Sequence, residues 1–386
     1  MTSTGGRIED RVGDLPPPEW ESLAEGGPLA VSVPWLRSVA SRAQGEGHWF
    51  LAFDDRDGDS TPVCGLFATL AGTAATDDAF NLHDVLFGAP RTMPLADDAI
   101  AAREQRREQS PARDEWFPNL VVTLPSAECL PVGPGAADPK TTEVLVDGIV
   151  DWARRNELAA VSFLYLRRTH TALTDTLASR AFTRLPLSFT GELHLPGTGF
   201  DDYLAALPKQ RRRSVRKEME TVEDAGVTIR RRDVKECLDD LVELRLALKR
   251  KYGRTPNPDK ERSSFHGLID EFSPDELHLL TAEIGEQLLG FGLDIVYNGV
   301  WNGVVSGTNY DDPRSDSVSF CLDYYEPVRH AYERGVRTLA FGMAAWEAKR
   351  NRGCELVPLD GYVLALRDDL APAVAAAPTA AVLRFT

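Results

Sequence analysis

The strongest constraint on this chain is that one pattern of hydrophobicity occurs in it twice. His48–Phe53 and Val63–Leu70 are apolar runs joined by the turn-rich DDRDGDSTP, and His278–Ile284 and Leu288–Val296 are two more, joined by Gly285-Glu286-Gln287. Each pair predicts a β-hairpin, with a glycine, Gly65 or Gly290, near the start of its second arm. A further strand is expected at Asn119–Thr123 in the first half and at Val300–Ser306 in the second, the latter after the turn signal Asn298-Gly299. The period then becomes helical. Leu145, Ile149, Trp152 and Ala153 share a face after the helix start Asp138-Pro139, and Phe320, Tyr324, Val328 and Ala331 do so after the loop Gly307–Ser317. Strands resume at Ala159–Leu166 and, past the helix stop Gly335, at Val336–Phe341. Pro327 sits inside the second helix and predicts a kink or a late start. Hairpin, strand, loop, helix, strand, twice over, is a tandem α+β arrangement and not a sheet wound by alternating crossovers throughout.

The length of 386 residues suits two domains of similar size. The expected division is a loose lead-in at 1–30, an N-terminal domain at 31–190, a C-terminal domain at 191–370 and a tail at 371–386. Trp20 and Trp35 imply that parts of the first 35 residues pack. Lys235–Tyr252 and Glu261–Phe272, separated by the breaker TPNP, read as a helical insertion over about 235–272 in the second domain. The segment 89–114 is polar and reads as helical or mobile; APAVAAAPTAA near the end is low-complexity, with VLRFT after it as a candidate strand. No apolar run reaches the roughly 18–20 residues of a membrane-spanning helix, and the first residues do not resemble a signal peptide, so a cytoplasmic protein is expected. The five cysteines are far apart with no CxxC and no paired Cys/His spacing, which suggests neither disulfides nor a metal site and favours cofactor-free chemistry.

Charge is distributed unevenly. The chain carries 43 basic and 59 acidic side chains, a net of −16, yet residues 209–262 hold 17 basic and 11 acidic ones. An anion-attracting island on an acidic body follows. Its densest part, Lys209-Gln210-Arg211-Arg212-Arg213-Ser214-Val215-Arg216-Lys217, places Arg212, Arg213, Arg216 and Lys217 on one face if 201–224 is helical. Arginine's planar fork suits phosphate. A solvated helix face balanced by Glu218, Glu220, Glu223 and Asp224 would look the same, and the net charge argues against nonspecific coating of nucleic acid.

The duplicated order of elements is similar to a tandem GNAT-type fold. The string FDDYLAALPKQRRRSVRKEMETVEDAGVTIR resembles the basic helix followed by Gly-Val of the Fem-type, peptidoglycan-biosynthesis-like acyltransferases, and SFCLDYYEPVRHAYERGVRTLAFGMAAWEAKRNRGCE resembles the same family. Together they cover roughly 195–357, and CLPVGPG in the first half matches more weakly. The resemblance implies transfer of an acyl group to an amine, from aminoacyl-tRNA in Fem-type members and from acyl-CoA in ordinary GNAT enzymes. The chain departs from the pattern at Ala344, Ala345 and Ala348, the last standing where the family tends to have histidine.

Aminolysis of an activated ester needs a neutral amine, a proton acceptor and donors for the developing oxyanion, and no protein nucleophile. Glu347, after a strand and a small-residue loop, is a candidate proton acceptor; Lys349 and Arg352 lie within a turn of it, and Glu326, near the start of the second helix with Asp323, Tyr324 and Tyr325, is a further catalytic candidate. Lys209, Arg212, Arg213, Arg216, Lys217 and Arg352 are candidate donor-phosphate ligands, and Trp301, Asn309, Tyr310 and Tyr325 candidate walls of a substrate pocket. A surface Glu-Lys-Arg cluster and a packed core edge at Trp301 account for the same residues. Gly133 and Gly135 would let backbone N–H groups approach a pyrophosphate, although Pro134 removes a donor and a simple turn explains them as well. Neither half has the arginine- and glycine-rich CoA loop of an ordinary acetyltransferase. The expectation is therefore an aminoacyl-tRNA-dependent transferase acting on the amine of a small molecule or a cell-wall precursor, with charged tRNA as partner. An acyl-CoA-dependent N-acyltransferase and a noncatalytic RNA- or phosphate-binding protein on the same fold are the alternatives.

Overall fold

The computed structural model of the protein describes residues 6–42, 45–54, 61–75, 79–88, 93, 95–125 and 128–380. Most of the DDRDGDSTP turn and the candidate strand VLRFT lie outside the described residues. The chain divides into two units, one formed by 1–189 with 357–386 and the other by 190–356. The strands β6 (Thr183–His194) and β12 (Glu355–Ala365) each pass along the chain from one unit into the other. The second unit thus ends at 356, earlier than the sequence suggests, because β12 goes on to pair with a strand of the first.

In the first unit, β1 (Gly6–Val12), β2 (Gly45–Asp54), β3 (Pro62–Ala71) and β4 (Asn119–Val122) are antiparallel neighbours. Next come β5 (Ala160–Arg167), parallel to β4, and β12, antiparallel to β5. The predicted lead-in is not loose: Gly6–Val12 is an edge strand, and Trp20, on helix α1 (Pro18–Leu23), is fully buried, donating to the Val31 carbonyl at 2.9 Å. Alternation along β2 divides its side chains between two cores. Phe50 and Ala52 join Leu145, Ile149 and Ala153, whereas Trp49, Leu51 and Phe53 join Trp20 and Leu23. Helix α2 (Val33–Val39) lies on the Trp20 side through Leu36. Helices α3 (Leu82–Phe87) and α4 (Asp97–Gln109) follow β3; α4 buries Arg103, whose Nε donates to the Gly88 carbonyl at 2.7 Å. As the sequence predicts, Asp138 caps helix α5 (Pro139–Arg155), accepting from the Thr141 N–H at 3.0 Å. Helix α6 (Thr171–Ser179) packs beside α5.

The second unit begins within β6. The predicted single helix over 201–224 is two, α7 (Phe200–Ala206) and α8 (Lys209–Asp224), because Pro208 has no N–H to continue the ladder and holds Leu207 extended. Strand β7 (Thr228–Arg232) follows, then the inserted helices α9 (Val234–Lys251) and α10 (Pro258–Glu271). The hairpin β8 (Leu277–Ile284) and β9 (Gln287–Tyr297) leads through Asn298-Gly299, both at positive φ, into β10 (Val300–Thr308). Helices α11 (Ser315–Phe320) and α12 (Glu326–Glu333) precede β11 (Thr338–Gly342) and the short helix α13 (Trp346–Asn351). Strand order here is β6-β11-β10-β9-β8-β7. One face of the sheet buries Leu280, Leu289 and Trp301 with Tyr203, Val215, Val222, Tyr324 and Val328 from the helices. The other meets α10 through the ring pair Phe265 and Phe291, with centroids 5.9 Å apart. After these strands and helices the chain closes with α14 (Ala371–Ala376) in the first unit.

Candidate active site

Strands β10 and β11 pair in parallel at only three positions, Val300 with Thr338, Trp301 with Leu339 and Asn302 with Ala340. Beyond them β10 bulges against β9 between Gly303 and Val305 and runs on to Thr308, while β11 stays with β6 as far as Gly342. The two strands therefore part in the interior of the sheet. Gly303 and Gly342 are exposed there and Val304, Val305 and Ser306 are half-buried, although both strands have neighbours on each side.

The helix that faces this opening is irregular for a reason written in the sequence. Pro327 cannot donate to the carbonyl four residues back, and the chain between α11 and α12, Cys321–Tyr325, winds as one π-helical turn in which the Glu326 N–H reaches Cys321 O. Its backbone lies close on β9 because that strand has glycine where it passes: a Cβ on Gly292 would stand 2.9 Å from Leu322 O, and one on Gly290 3.1 Å from the Val318 side chain. The turn carries Asp323 to the opening. Burial pushes its carboxyl up to about 6, against the pull of a hydrogen bond from Ser306 and the charges of Lys349, Arg352 and Arg245. Asp294 on β9 is fully enclosed beside it, with Oδ1 3.7 Å from where a Cβ on Gly303 would stand. It faces the Trp301 indole N–H without closing a hydrogen bond of normal geometry, and burial raises its carboxyl well above the ordinary carboxylate range. Burial thus favours the protonated form of Asp294, and Asp323 is a carboxylate whose basicity lies near the working range of a proton acceptor.

The loop after β11 is strained. Ala344 and Ala345 both have positive φ, 66° and 49°, which costs an L-residue on the order of 1–2 kcal/mol each. Lys349 holds the segment before them: its buried ammonium donates to the carbonyls of Phe341, Gly342 and Met343 at 2.8, 2.6 and 2.9 Å, and burial lowers its pKa to about 8. All three donors of Lys349 are engaged on backbone, so it fixes the loop and is not aimed at a ligand.

A cleft of about 420 Å³ lies between α8, the α11 and π-turn segment, and α13. Its floor is an enclosed network. The Arg352 guanidinium gives Nη2 to Glu218 Oε2 at 2.9 Å and Nε to the Tyr325 hydroxyl oxygen at 3.0 Å, and lies 3.4 Å from the Phe320 ring centroid. The Tyr325 hydroxyl donates to the same Glu218 oxygen, and burial raises its pKa. Tyr203 donates to the Arg352 carbonyl at 3.0 Å. The rim is polar: Arg211 and Ser214 from α8, Glu347 and Asn351 from α13.

Of the residues singled out in the sequence, Glu347, Arg352 and Tyr325 meet at this cleft. Lys349 follows Glu347 by two positions but points to the loop carbonyls. Glu326 is held by Arg329 at 3.0 Å on α12 and does not line the cleft. The arginine face divides. Arg212 turns back to Ala205 O and Leu207 O at 3.4 and 3.3 Å, capping the carbonyl end of α7, whereas Lys209, Arg213, Arg216 and Lys217 are exposed. Trp301 is core, between His278 and His330. Asn309 and Tyr310 lie on the loop after β10, Tyr310 beneath the Lys251 ammonium at 3.7 Å from its ring centroid, and neither lines the cleft. Gly133 and Gly135 are packing glycines: Cβ atoms there would stand 2.6 and 3.0 Å from Val63 O, and the N–H groups of Ala136 and Asp138 are bonded back to their carbonyls. The cleft residues Arg211, Glu218 and Phe320 and the acids Asp323 and Asp294 are not among the sequence candidates. Among the described residues no cluster of His, Cys, Asp or Glu suits a metal ion, and no helix is long and apolar enough to cross a membrane.

Two α+β units in tandem, with an open parallel strand pair in the second, give the tandem α+β arrangement that the repeated sequence pattern predicts. The chain belongs to the FemAB-like family, described as peptidoglycan biosynthesis/recognition, which it matches over residues 107–376. Among solved structures it is similar to FemX, at 11% identity over 94% of this chain and 98% of that one, with a TM-score of 0.58. It is also similar to a tandem GNAT protein from the clavulanic acid biosynthesis pathway (12% identity, 93% and 98% covered, TM-score 0.48). A third similarity is to a GCN5-related N-acetyltransferase from Sphaerobacter thermophilus (13% identity, 83% and 81% covered, TM-score 0.41). No curated protein sequence matches the chain.

Proposed function

We propose that this protein moves an aminoacyl group from aminoacyl-tRNA onto the amine of a cell-wall precursor or a small molecule by direct aminolysis, and that the second unit carries the chemistry. The observation that carries the reading is the parting of β10 and β11 beside Asp323. An acyl carbonyl entering that gap meets strand backbone that has no ladder partner on the β11 side, a ready source of N–H donors for an oxyanion. The attacking amine forms the new C–N bond and gives its proton to the Asp323 carboxylate. Collapse of the tetrahedral intermediate breaks the ester C–O bond, and the proton passes to the departing hydroxyl of the ribose.

The donor is argued from charge. Lys209, Arg213, Arg216 and Lys217 stand exposed on α8, the helix that also forms one wall of the cleft, and such a row neutralises a nucleic-acid backbone whose affinity then falls with salt. The family's description supports a cell-wall precursor as acceptor. The test is incubation of the full chain with charged tRNAs and a panel of amines, including peptidoglycan precursors. Deacylation coupled to amide formation is expected. Turnover of an acyl-CoA with release of its thiol, and none of any charged tRNA, would overturn the donor assignment. Salt-sensitive RNA binding with no transfer from any donor would overturn the enzymatic reading altogether.

A further inference from the structure

The cleft beside the opening presents opposite charges that the protein leaves unanswered. Arg211 and Glu347 both line it, and neither makes an ion pair or side-chain hydrogen bond among the described residues. They stand on different helices, α8 and α13. Below them the charges are already balanced: Arg352 is buried, bonded to Glu218 and Tyr325, and stacked on Phe320. Glu218 uses one oxygen, Oε2, for both partners. Its side chain keeps 23% exposure, so the remaining oxygen is available as an acceptor. The floor is therefore rigid and neutral, with ring faces, and the rim supplies one free cation and a carboxylate of each kind, one free and one half-used. A simple acyl chain answers none of these groups.

We infer that this cleft recognises a primary ammonium group carried close to an anionic oxygen group, the ammonium between Glu347 and the free oxygen of Glu218 and the anion at Arg211. The volume, about 420 Å³, is that of a small-molecule site. The Arg352 guanidinium in the cleft floor also acts on the Asp323 carboxyl, so a group held here lies near the strand opening. The inference rests on the function proposed above and narrows its substrate class. The chemistry has two sources. An aminoacyl ester brings its α-ammonium with the phosphate of its nucleotide, and a free amino acid or peptide terminus brings an ammonium with a carboxylate.

The experiment is calorimetric titration of the full chain with four probes: 3′-deoxy-3′-(L-alanylamino)adenosine 5′-monophosphate, L-alanine, and the N-acetyl form of each. At least one free-amine probe is expected to bind about tenfold or more tightly than its acetylated form, as loss of a charged hydrogen bond predicts. The nucleotide probe binding more tightly identifies the donor as the source, and alanine binding more tightly the acceptor. Glu347→Gln, an exposed substitution that leaves the buried network intact, is expected to abolish the preference. Arg211→Gln is expected to weaken the free and acetylated forms alike. Equal binding of free and acetylated probes, an undiminished preference in Glu347→Gln, or no binding of any probe overturns the inference. Transfer assays run in parallel keep the two claims apart. Where the nucleotide probe binds more tightly, equal use of N-acetyl-alanyl-tRNA and alanyl-tRNA as donors overturns the ammonium site and leaves the proposed function standing; if no charged tRNA is a donor, the proposed function fails whatever the probes do.

Discussion

The two units treat the same structural moment in opposite ways. In the first, β4 and β5 run parallel and pair at Leu120–Val161, Val121–Ser162 and Val122–Phe163, after which β4 ends. The segment that follows takes its place: Cys129 bridges to Leu166 of β5 and Val132 to Gly65 of β3, and Leu124 and Cys129 are fully buried. In the second, β10 and β11 also pair at three positions, and among the described residues no such bridging segment fills the gap. What occupies it instead is access, with a titratable acid on a distorted helical turn at its edge. The lesson is that the repeated scaffold supplies a possible site twice, and packing decides which copy retains it.

The sharpest way to break that comparison is to remove Asp323. Asp323→Asn should lower the rate of transfer by about a hundredfold or more, the usual contribution of a positioned base, with the protein still folded by circular dichroism. The sealed copy should be indifferent: Cys129→Ser buries a hydroxyl among apolar groups and should cost about 1–3 kcal/mol of stability in a denaturant titration, with transfer changed less than about twofold. Equal losses from both variants would erase the distinction between the units. For the wild type, kcat/KM should rise with pH to a plateau above about 6, where the Asp323 carboxyl is ionised. Filling the gap comes next. A Cβ on Gly303 would meet only ordinary contacts, 3.5 Å to Phe341 and 3.7 Å to Ala340 O and Asp294, so Gly303→Val should fold and yet reduce transfer by about tenfold by occupying the opening. Of similar size is the binding effect of the exposed cations. Arg213, Arg216 and Lys217 changed together to Ala should weaken tRNA binding by about tenfold near physiological salt and flatten its salt dependence, with the melting temperature nearly unchanged.

The smallest expected effect concerns stability. Burial raises the Asp323 carboxyl from its ordinary 3.8 to about 6, so folding favours the protonated form. Its contribution is fully present below about 3.8 and is lost as pH rises through about 6. Asp323→Asn should therefore melt a few degrees above the wild type at pH 8, and the two should converge below pH 4. A variant less stable than the wild type at pH 8 would mean that the carboxylate is well solvated, and the argument for its raised basicity would go with it.

The sequence makes the repetition legible because periodicity of two and of 3.6 survives without knowledge of partners: both hairpins, the Asp138 cap and the Asn298-Gly299 turn stand where their residues predict. It shows the basic helix but not which side of it matters. Counting cations selects Arg212, Arg213, Arg216 and Lys217, whereas the wall of the cleft is the stripe Arg211, Ser214, Val215 and Glu218, set by the burial of Val215 and Val222. Those two apolar positions, seven apart, were the available signal. Asp323 is harder to find. Its burial depends on Pro327 forcing a wider turn and on Gly290 and Gly292, some thirty residues upstream, letting that turn settle on the sheet. Pro327 predicts an irregularity, and only the tertiary packing says what the irregularity exposes.

One feature of the connectivity bears on how the protein is made. The first unit is interrupted after residue 189 and completed only from 357 onward, so its β12 leaves the ribosome after every residue of the second unit has been synthesised. The nascent N-terminal sheet must wait with β5 lacking its final neighbour, an unpaired edge for the length of 167 codons, while the inserted unit is already free to fold as it emerges.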